Sequence, residues 1–233
     1  MEPSGIQKPS RLRHMQIAMG LAAYCLLNLP YVRAVFGRQY LDPKRNQLFV
    51  CNHVSLLDTI LLGGEAWRAG TYPILVLGDK KVWQATWFHR FLSRPIGFLV
   101  ERGKLNPGRI RELEEFGRAA RDYQLVVFPE GTRGSGLEVG ECQPGIYYIA
   151  QAAQVPIVPV FIENMQCVST KCGKFHPFSG LKKVVIRYGP PIPPSDYLGL
   201  SRDEFTGFVR RQISALQPAP QVAARLNPAP LRG

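Results

Sequence analysis

The sequence has few acidic residues, few cysteines and no apolar run of membrane-spanning length. Asp and Glu number 17 against 29 Lys and Arg, which gives a net charge of +12. Such an excess favours an anionic partner, whether nucleic acid, anionic lipid headgroups or phosphorylated small molecules. The five cysteines are an odd number and include no C-x-x-C pair, so the usual zinc-ligand spacing is excluded and no metal is expected. Unpaired thiols are typical of a reducing, cytosolic environment.

Several signatures of enzymes and of nucleic-acid-binding proteins are also absent. No G-K-S/T follows a glycine-rich turn, which excludes a Walker A loop, and neither G-x-S-x-G nor H-E-x-x-H occurs. The positive charge is accompanied by no recognised nucleic-acid-binding motif, and the apolar N-terminus argues against that class. We therefore expect no nucleic-acid partner.

The length and composition favour one α/β domain. A chain of 233 residues with 45% apolar residues can bury one large core, whereas two full domains would be cramped. Apolar, β-branched runs alternate with helical patterns, which predicts a single mixed-sheet domain flanked by helices, with the functional site at the C-terminal ends of the strands. The predicted strands are residues 47–52, 73–77, 96–101, 125–128, 157–162 and 184–188. Pro159 predicts an edge strand or an irregular ladder for the fifth of them.

The N-terminal segment combines basic and apolar residues. Arg11, Arg13 and His14 precede a mainly apolar stretch at 17–32. About 16 residues is short for a membrane span of roughly 20, and no clear small-x-small cleavage site follows. The pattern favours an interfacial helix in the headgroup layer, with packing on the domain, or a cleaved or spanning segment, as alternatives. We predict a membrane-associating segment at 1–37, a folded domain at 38–216 and a disordered Pro/Ala-rich tail at 217–233.

The first candidate motif is Asn52-His53-Val54-Ser55-Leu56-Leu57-Asp58, where a predicted strand passes into a helix. An imidazole takes up a proton near neutral pH, and a carboxylate on its other nitrogen fixes the tautomer. The two side chains can meet if His53 lies in the turn and Asp58 in the first helical turn. Alternatively, Ser55-x-x-Asp58 is only a capping box and His53 a core histidine. A nucleophilic Cys51 beside His53 is a further alternative.

The second candidate motif is Phe128-Pro129-Glu130-Gly131-Thr132-Arg133-Gly134-Ser135-Gly136, which follows another predicted strand. Its three glycines allow the backbone to approach a ligand closely, and Arg133 offers a bidentate fork for phosphate. The alternative is a tight turn with a solvated arginine.

Together the two motifs resemble the glycerolipid acyltransferase family that includes the 1-acylglycerol-3-phosphate acyltransferases. Its N-H-x-x-x-x-D and F-P-E-G-T-R blocks both stand intact here. Two weaker blocks of the family are similar to Gly97-Phe98-Leu99-Val100-Glu101-Arg102 and Val155-Pro156-Ile157-Val158-Pro159-Val160. The four blocks occur in the family's order and cover roughly residues 45–165.

The resemblance implies acyl transfer from acyl-CoA or acyl carrier protein to a lysophospholipid hydroxyl, most simply that of 1-acylglycerol-3-phosphate, with no cofactor. It implies that His53 is the general base and that Asp58 orients it. The remaining implied residues bind the acceptor: Arg102 and Arg133 hold its phosphate, Glu130, Gly131 and Thr132 line the same pocket, and Lys80, with Lys81 beside it, is a further phosphate contact or a solvated lysine. The implied location is the cytoplasmic face of a membrane, as a peripheral or monotopic protein.

Two departures from the family pattern bear on the acceptor. Glu101 stands where the middle block usually has Asp, and Gln143-Pro144-Gly145 replaces a segment that is often Lys-rich. These differences leave the acceptor headgroup open. Two other classes also remain: a non-catalytic membrane-binding or tethering protein, and a thioester hydrolase in which His53 activates water.

Overall fold

A computed structural model of the chain describes residues 9–71, 74–84, 86, 87, 90, 97–100, 108, 111 and 123–218. Side chains are described for most of these positions. Glu101 and Arg102 of one weaker block, and residues 219–233 of the expected tail, lie outside the described residues.

The described residues form one seven-stranded mixed sheet with flanking helices, so the predicted fold class is confirmed in its main feature. In chain order, the strands are β1 (Val32–Phe36), β2 (Gln47–Cys51), β3 (Ile74–Asp79), β4 (Gly97–Val100), β5 (Gln124–Val127), β6 (Ile157–Glu163) and β7 (Val184–Tyr188). Their order in the sheet is β1-β7-β6-β2-β5-β3-β4. All neighbours are parallel except β6 and β7, which are antiparallel.

The helices cover both faces of this sheet. They are α1 (Pro9–Ala23), continued by a π-helical turn (Tyr24–Asn28) and the single turn α2 (Leu29–Tyr31), then α3 (Leu56–Ala69), α4 (Lys80–Trp83), α5 (Gly145–Ala153) and α6 (Arg202–Ser214). In β2, Phe49 and Cys51 belong to the cluster that includes α3, whereas Leu48 and Val50 belong to the cluster that includes α6. Burial on both faces explains why the central strands read as continuous apolar runs rather than alternating ones.

Pro159 lies in an interior strand, so the sheet-edge alternative is wrong, whereas the alternative of an irregular ladder is confirmed by a register shift between β6 and the chain of β7. β6 pairs with β2 on one side and with β7 on the other. The β6–β7 register begins at Val160, one residue after the proline, and the Pro159 carbonyl accepts a hydrogen bond from Gly189 N at 2.8 Å. Antiparallel pairing resumes at Ile157 and Ile192, so the missing N–H of Pro159 falls at an irregular point of this contact.

The N-terminal segment packs against the domain. Gln16 Oε1 accepts a hydrogen bond from Ile74 N at 2.9 Å, and Asn28 Nδ2 donates to Leu61 O at 3.1 Å and to Glu65 Oε1 at 3.0 Å. Residues 32–36, which the sequence analysis placed in the N-terminal segment, form the edge strand β1 and pair with β7. Within the described residues, no helix is both long enough and apolar enough to cross a membrane.

Candidate active site

The sheet topology brings the two motifs together. β2 and β5 are adjacent and parallel, with Val50 beside Val127, so the loops that follow them leave the same edge of the sheet. The first loop carries His53 and the second carries the motif that begins at Phe128. Ligands of open α/β sheets bind at this carboxyl edge.

His53 and Asp58 are in direct contact. The Nδ1 atom of His53 lies 2.9 Å from Asp58 Oδ2, and the Asp58 side chain is fully buried while that of His53 is 19% exposed. Because an ionised carboxylate only accepts hydrogen bonds, Nδ1 carries the proton in the neutral imidazole. The other ring nitrogen, Nε2, is then the basic atom. This is the arrangement that a general base requires.

Asp58 also caps the helix that carries it. Its Oδ2 atom accepts hydrogen bonds from Val54 N at 2.7 Å and from Ser55 N at 2.9 Å, in addition to the imidazole contact. Ser55 completes the capping box as the N-cap of α3, with its hydroxyl accepting from Leu57 N. The capping-box interpretation is therefore correct, but it is not an alternative to the histidine contact, since one oxygen makes both.

The backbone of His53 is held by the second motif. His53 N donates to Glu130 Oε1 at 3.0 Å, and His53 O accepts from Gly134 N at 2.6 Å. The imidazole stacks on the Phe128 ring, with the ring centroids 4.1 Å apart and the planes 25° from parallel. Three contacts from one loop thus fix both the position and the plane of the histidine.

Glu130 faces the protein interior. It is 5% exposed, and its two carboxylate oxygens accept from His53 N and from Gly140 N, the latter at 3.2 Å. Burial is the main cause that raises the pKa of Glu130, and the charge of Asp58 raises it further, against the two backbone N–H donors and the charge of His53, which lower it. The carboxylate therefore links the two motif loops.

Gly131, Thr132 and Arg133 are exposed at the rim of this site. Gly131 has a φ of 63°, in the left-handed region that glycine adopts without strain, and its N–H closes a turn on Phe128 O at 3.1 Å. Arg133 Nη1 donates to Lys171 O at 3.0 Å, and no other hydrogen bond of its guanidinium is found among the described residues. Several donors of a planar fork that suits phosphate therefore remain available.

Cys51 is unsuited to a nucleophilic role. Its side chain is fully buried, and its Sγ lies 3.7 Å from Asn52 Oδ1. Burial raises the pKa of the Cys51 thiol well above its ordinary value, and the charges of Asp58 and Glu130 add to this effect. A thiol that stays protonated and is inaccessible does not act as a nucleophile.

Two of the predicted acceptor contacts fall outside the described part of the chain. The side chain of Lys80, at the start of α4, and all of Arg102 lie outside the described residues. Within the described part of the chain, no group of three or more His, Cys, Asp or Glu side chains is placed to hold a metal ion.

The structure adds two supporting residues that the sequence analysis did not assign. Asn52 exchanges two hydrogen bonds with the backbone of Ile162, from Ile162 N to Oδ1 at 2.7 Å and from Nδ2 to Ile162 O at 3.0 Å. This pair extends the β2–β6 contact up to the residue before His53. Ser169 Oγ lies 2.9 Å from Ser55 Oγ in a buried contact. The first position of the motif pointed to Asn52, whereas no pattern pointed to Ser169.

Comparison with known proteins yields several relatives that carry the same enzyme name. A probable 1-acyl-sn-glycerol-3-phosphate acyltransferase of Mycoplasma pneumoniae is 33% identical over 178 residues, which cover 74% of this chain and 66% of the relative. The 1-acyl-sn-glycerol-3-phosphate acyltransferase of Escherichia coli is 28% identical over 65% of this chain and 59% of its own length. The chain thus matches somewhat less than two thirds of these relatives.

The fold likeness and the family match agree with these relatives. The crystal structure of a 1-acyl-sn-glycerophosphate acyltransferase from Thermotoga maritima superposes with a TM-score of 0.60, at 23% identity, over 88% of this chain and 80% of that one. A family model described as Acyltransferase matches residues 32–163, a range that begins at β1, ends at β6 and includes both motifs. On this match, the chain belongs to the acyltransferase family.

Proposed function

We propose that this protein transfers a fatty-acyl group from acyl-CoA or acyl carrier protein to the free hydroxyl of 1-acylglycerol-3-phosphate, with no cofactor. The observation that carries the proposal is the 2.9 Å contact between His53 Nδ1 and the buried Asp58 carboxylate. It is supported by the similarity to the 1-acyl-sn-glycerol-3-phosphate acyltransferase of Escherichia coli and the probable one of Mycoplasma pneumoniae.

In the proposed reaction, His53 Nε2 removes the proton of the acceptor hydroxyl as its oxygen attacks the thioester carbonyl carbon. The new C–O bond gives a tetrahedral intermediate, and Asp58 stabilises the imidazolium that accompanies it. The intermediate collapses with cleavage of the C–S bond, and the thiolate takes the proton from the imidazolium. The products are the diacylated lipid and free CoA or carrier thiol. No covalent acyl-enzyme is required.

The acceptor phosphate has a candidate partner beside the base. Arg133 is exposed on the loop whose Gly134 N–H binds His53 O, so its guanidinium lies on the same loop cluster as the imidazole. Bidentate binding of the phosphate by Arg133, with Arg102 and Lys80 as further proposed partners, would present the hydroxyl to Nε2. The acceptor and the donor are brought together at the surface of a membrane, with the protein peripheral or monotopic on its cytoplasmic face.

The test is transfer of labelled acyl-CoA to a panel of detergent-dispersed lysophospholipids by the wild type and two variants. His53→Ala should lower the rate by about 10²- to 10⁴-fold while leaving the fold intact. Asp58→Asn keeps a side-chain oxygen for the capping bonds but loses the carboxylate. We therefore expect a loss of kcat comparable to that of His53→Ala, with only a small loss of stability.

Three results would contradict the proposal. If the His53→Ala variant were active, His53 could not be the general base. Release of free fatty acid without transfer would identify a thioester hydrolase. Absence of any reaction with both donor types would favour a tethering protein. Transfer only to a lysolipid with another headgroup would keep the mechanism and reassign the acceptor.

A further inference from the structure

A surface next to the candidate active site combines exposed apolar side chains with lysines. We call it the 171–183 face. Its apolar members are Leu29, Phe175, Phe178 and Leu181, with exposed fractions of 50%, 48%, 85% and 46%, and its basic members are Lys171, Lys174, Lys182 and Lys183. None of these residues has a role in the proposed chemistry. Large exposed aromatic and aliphatic side chains grouped in this way mark an interaction surface.

The two chain segments that build this face are held together by several contacts. Lys182 N donates to Pro30 O at 2.9 Å, and Lys182 Nζ donates to the carbonyl oxygens of Leu29 and Val32. The ring of Phe175 packs edge-on against that of Tyr31, with the centroids 5.9 Å apart. The face is therefore a defined surface rather than a chance neighbourhood of separate loops.

The charge of this region has one sign. No Asp or Glu occurs between Glu163 and Asp196, nor between Glu2 and Asp42, so both segments that build the face are free of acidic residues. Four lysines stand within the short segment from 171 to 183. Exposed apolar side chains on two segments that carry only basic charged residues complement a surface that offers acyl chains below a layer of negative charge.

The face and the residues that immediately precede it, 166–169, contact both motif loops. Lys171 O accepts the Arg133 hydrogen bond at 3.0 Å, and Ser169 Oγ lies 2.9 Å from the N-cap hydroxyl of Ser55. A Cβ on Gly136 would lie within 3 Å of the Gln166 and Val54 side chains, so residue 166 comes close to the second motif. A ligand seated on the face would therefore lie beside the loops that carry His53 and Arg133.

We infer that the 171–183 face docks on an anionic lipid bilayer, with Phe178 and Leu181 entering the acyl boundary and Lys171, Lys174 and Lys183 meeting the headgroups. This inference rests on the proposed function for its link to a lipid acceptor. Residues 171–183 of the face add a second contact, remote in sequence from the N-terminal helix, and the face orients the site toward the surface from which a lysolipid would come.

The test is cosedimentation of the full chain with vesicles of phosphatidylcholine alone and of an equal mixture of phosphatidylcholine and phosphatidylglycerol. Phe178→Ser should weaken binding to both by about tenfold or more, because a large apolar side chain is withdrawn from the acyl boundary. The matched control is Leu137→Ser, since Leu137 is 70% exposed but lies on the loop after Arg133.

A second pair of variants tests the charge. Lys174→Gln combined with Lys183→Gln should weaken binding to the mixed vesicles by about tenfold and leave binding to phosphatidylcholine unchanged. Lys44→Gln combined with Arg68→Gln removes the same charge from exposed positions outside the face and should have little effect.

The inference is overturned if the face variants bind vesicles as tightly as the controls. It is equally overturned if Phe178→Ser leaves vesicle binding intact but dissociates a dimer in analytical ultracentrifugation, because the occupant would then be a second copy of the chain. Failure of the proposed function is a separate result. A wild-type protein that acylates no detergent-dispersed lysolipid, but binds vesicles through Phe178, would refute the function and retain the face.

Discussion

At the scale of single residues, Asp58 joins a structural role and a proposed chemical role in one carboxylate oxygen. The oxygen that accepts from Val54 N and Ser55 N is the one that contacts His53 Nδ1. The same bonds that begin α3 therefore set the distance to the imidazole. A five-residue spacing, which separates two side chains on a helix by about 500° at 3.6 residues per turn, serves here because His53 precedes the helix.

Glu130 should leave a signature in the pH dependence of stability. Burial raises its pKa in the folded state, so between the ordinary carboxyl value of about 4.3 and that raised value the folded protein binds more protons than the unfolded chain. The unfolding free energy contributed by this group is thus fully present below the ordinary pKa and is lost as the pH rises through the raised one.

The measurement is urea unfolding of the wild type and Glu130→Gln across the acidic and neutral range. The variant should show a flatter decline with rising pH in that window. Its stability should also be lower at every pH, because an amide can accept only one of the two backbone hydrogen bonds. Glu138→Gln, at an exposed position, is the control. Parallel curves for wild type and Glu130→Gln would show that the carboxyl does not titrate with folding.

At the scale of elements, α3 is the piece that connects the N-terminal segment to the site. Its first turn carries Asp58. In its middle, Leu61 O and the Glu65 carboxylate accept hydrogen bonds from the Asn28 side chain. Glu65 is 1% exposed and also accepts two hydrogen bonds from Arg38, at 3.1 Å and 2.9 Å. A buried carboxylate with three side-chain donors keeps its charge satisfied, so this cluster fixes the π-helical turn on α3.

Two adjacent glycines in α3 allow a matched test of that contact. A Cβ on Gly64 would lie 2.3 Å from Asn28 Oδ1 and 3.1 Å from Tyr24 N, whereas a Cβ on Gly63 meets nothing within 4 Å. Gly64→Ala should destabilise the protein by about 1–3 kcal/mol, because Asn28 is buried and its hydrogen bonds must shift. Gly63→Ala should stabilise it by about 0.5–1 kcal/mol through helix propensity.

Thermal and urea unfolding of the two variants beside the wild type give the comparison directly. Equal effects of the two substitutions would mean that the N-terminal segment does not pack on α3 as described. That result would favour the interpretation of residues 17–32 as an interfacial helix over their packing on the domain.

At the scale of the whole molecule, the N-terminal region forms part of the sheet, whether or not it also contacts a membrane. β1 lies at one edge of the sheet, paired with β7, and Gln16 binds the backbone of β3 through Ile74. The family match also begins at residue 32, the first residue of β1. A deletion that is meant to remove only a membrane anchor would therefore remove structural contacts too.

Deletion of residues 1–36 should lower the melting temperature by about 10 °C or more, because it removes an edge strand and uncovers the outer face of α3. Differential scanning calorimetry of the deletion beside the full chain checks this. An unchanged melting temperature would show that the segment contributes nothing to the fold. Loss of vesicle binding in such a deletion is ambiguous, and for this reason point substitutions on the 171–183 face are the sharper test.

The sequence by itself determined the α/β class, most of the strand positions and the two motifs, because these depend on local periodicity and on residue types at fixed spacing. The capping box formed by Ser55 and Asp58 could be predicted for the same reason. The sequence also indicated that His53 and Asp58 could meet, since both lie within one strand-to-helix turn.

The tertiary structure decided what depends on contacts between distant segments. Glu130 was expected beside a phosphate, yet it binds His53 N from a position 77 residues away and is buried. Pro159 was expected at an edge or in an irregular ladder, and only the strand order places it inside the sheet. The 171–183 face exists because β1 and β7 pair, which brings Leu29 to Lys182. No local sequence pattern predicts these contacts, because they follow from the strand order and from burial of the sheet on both faces.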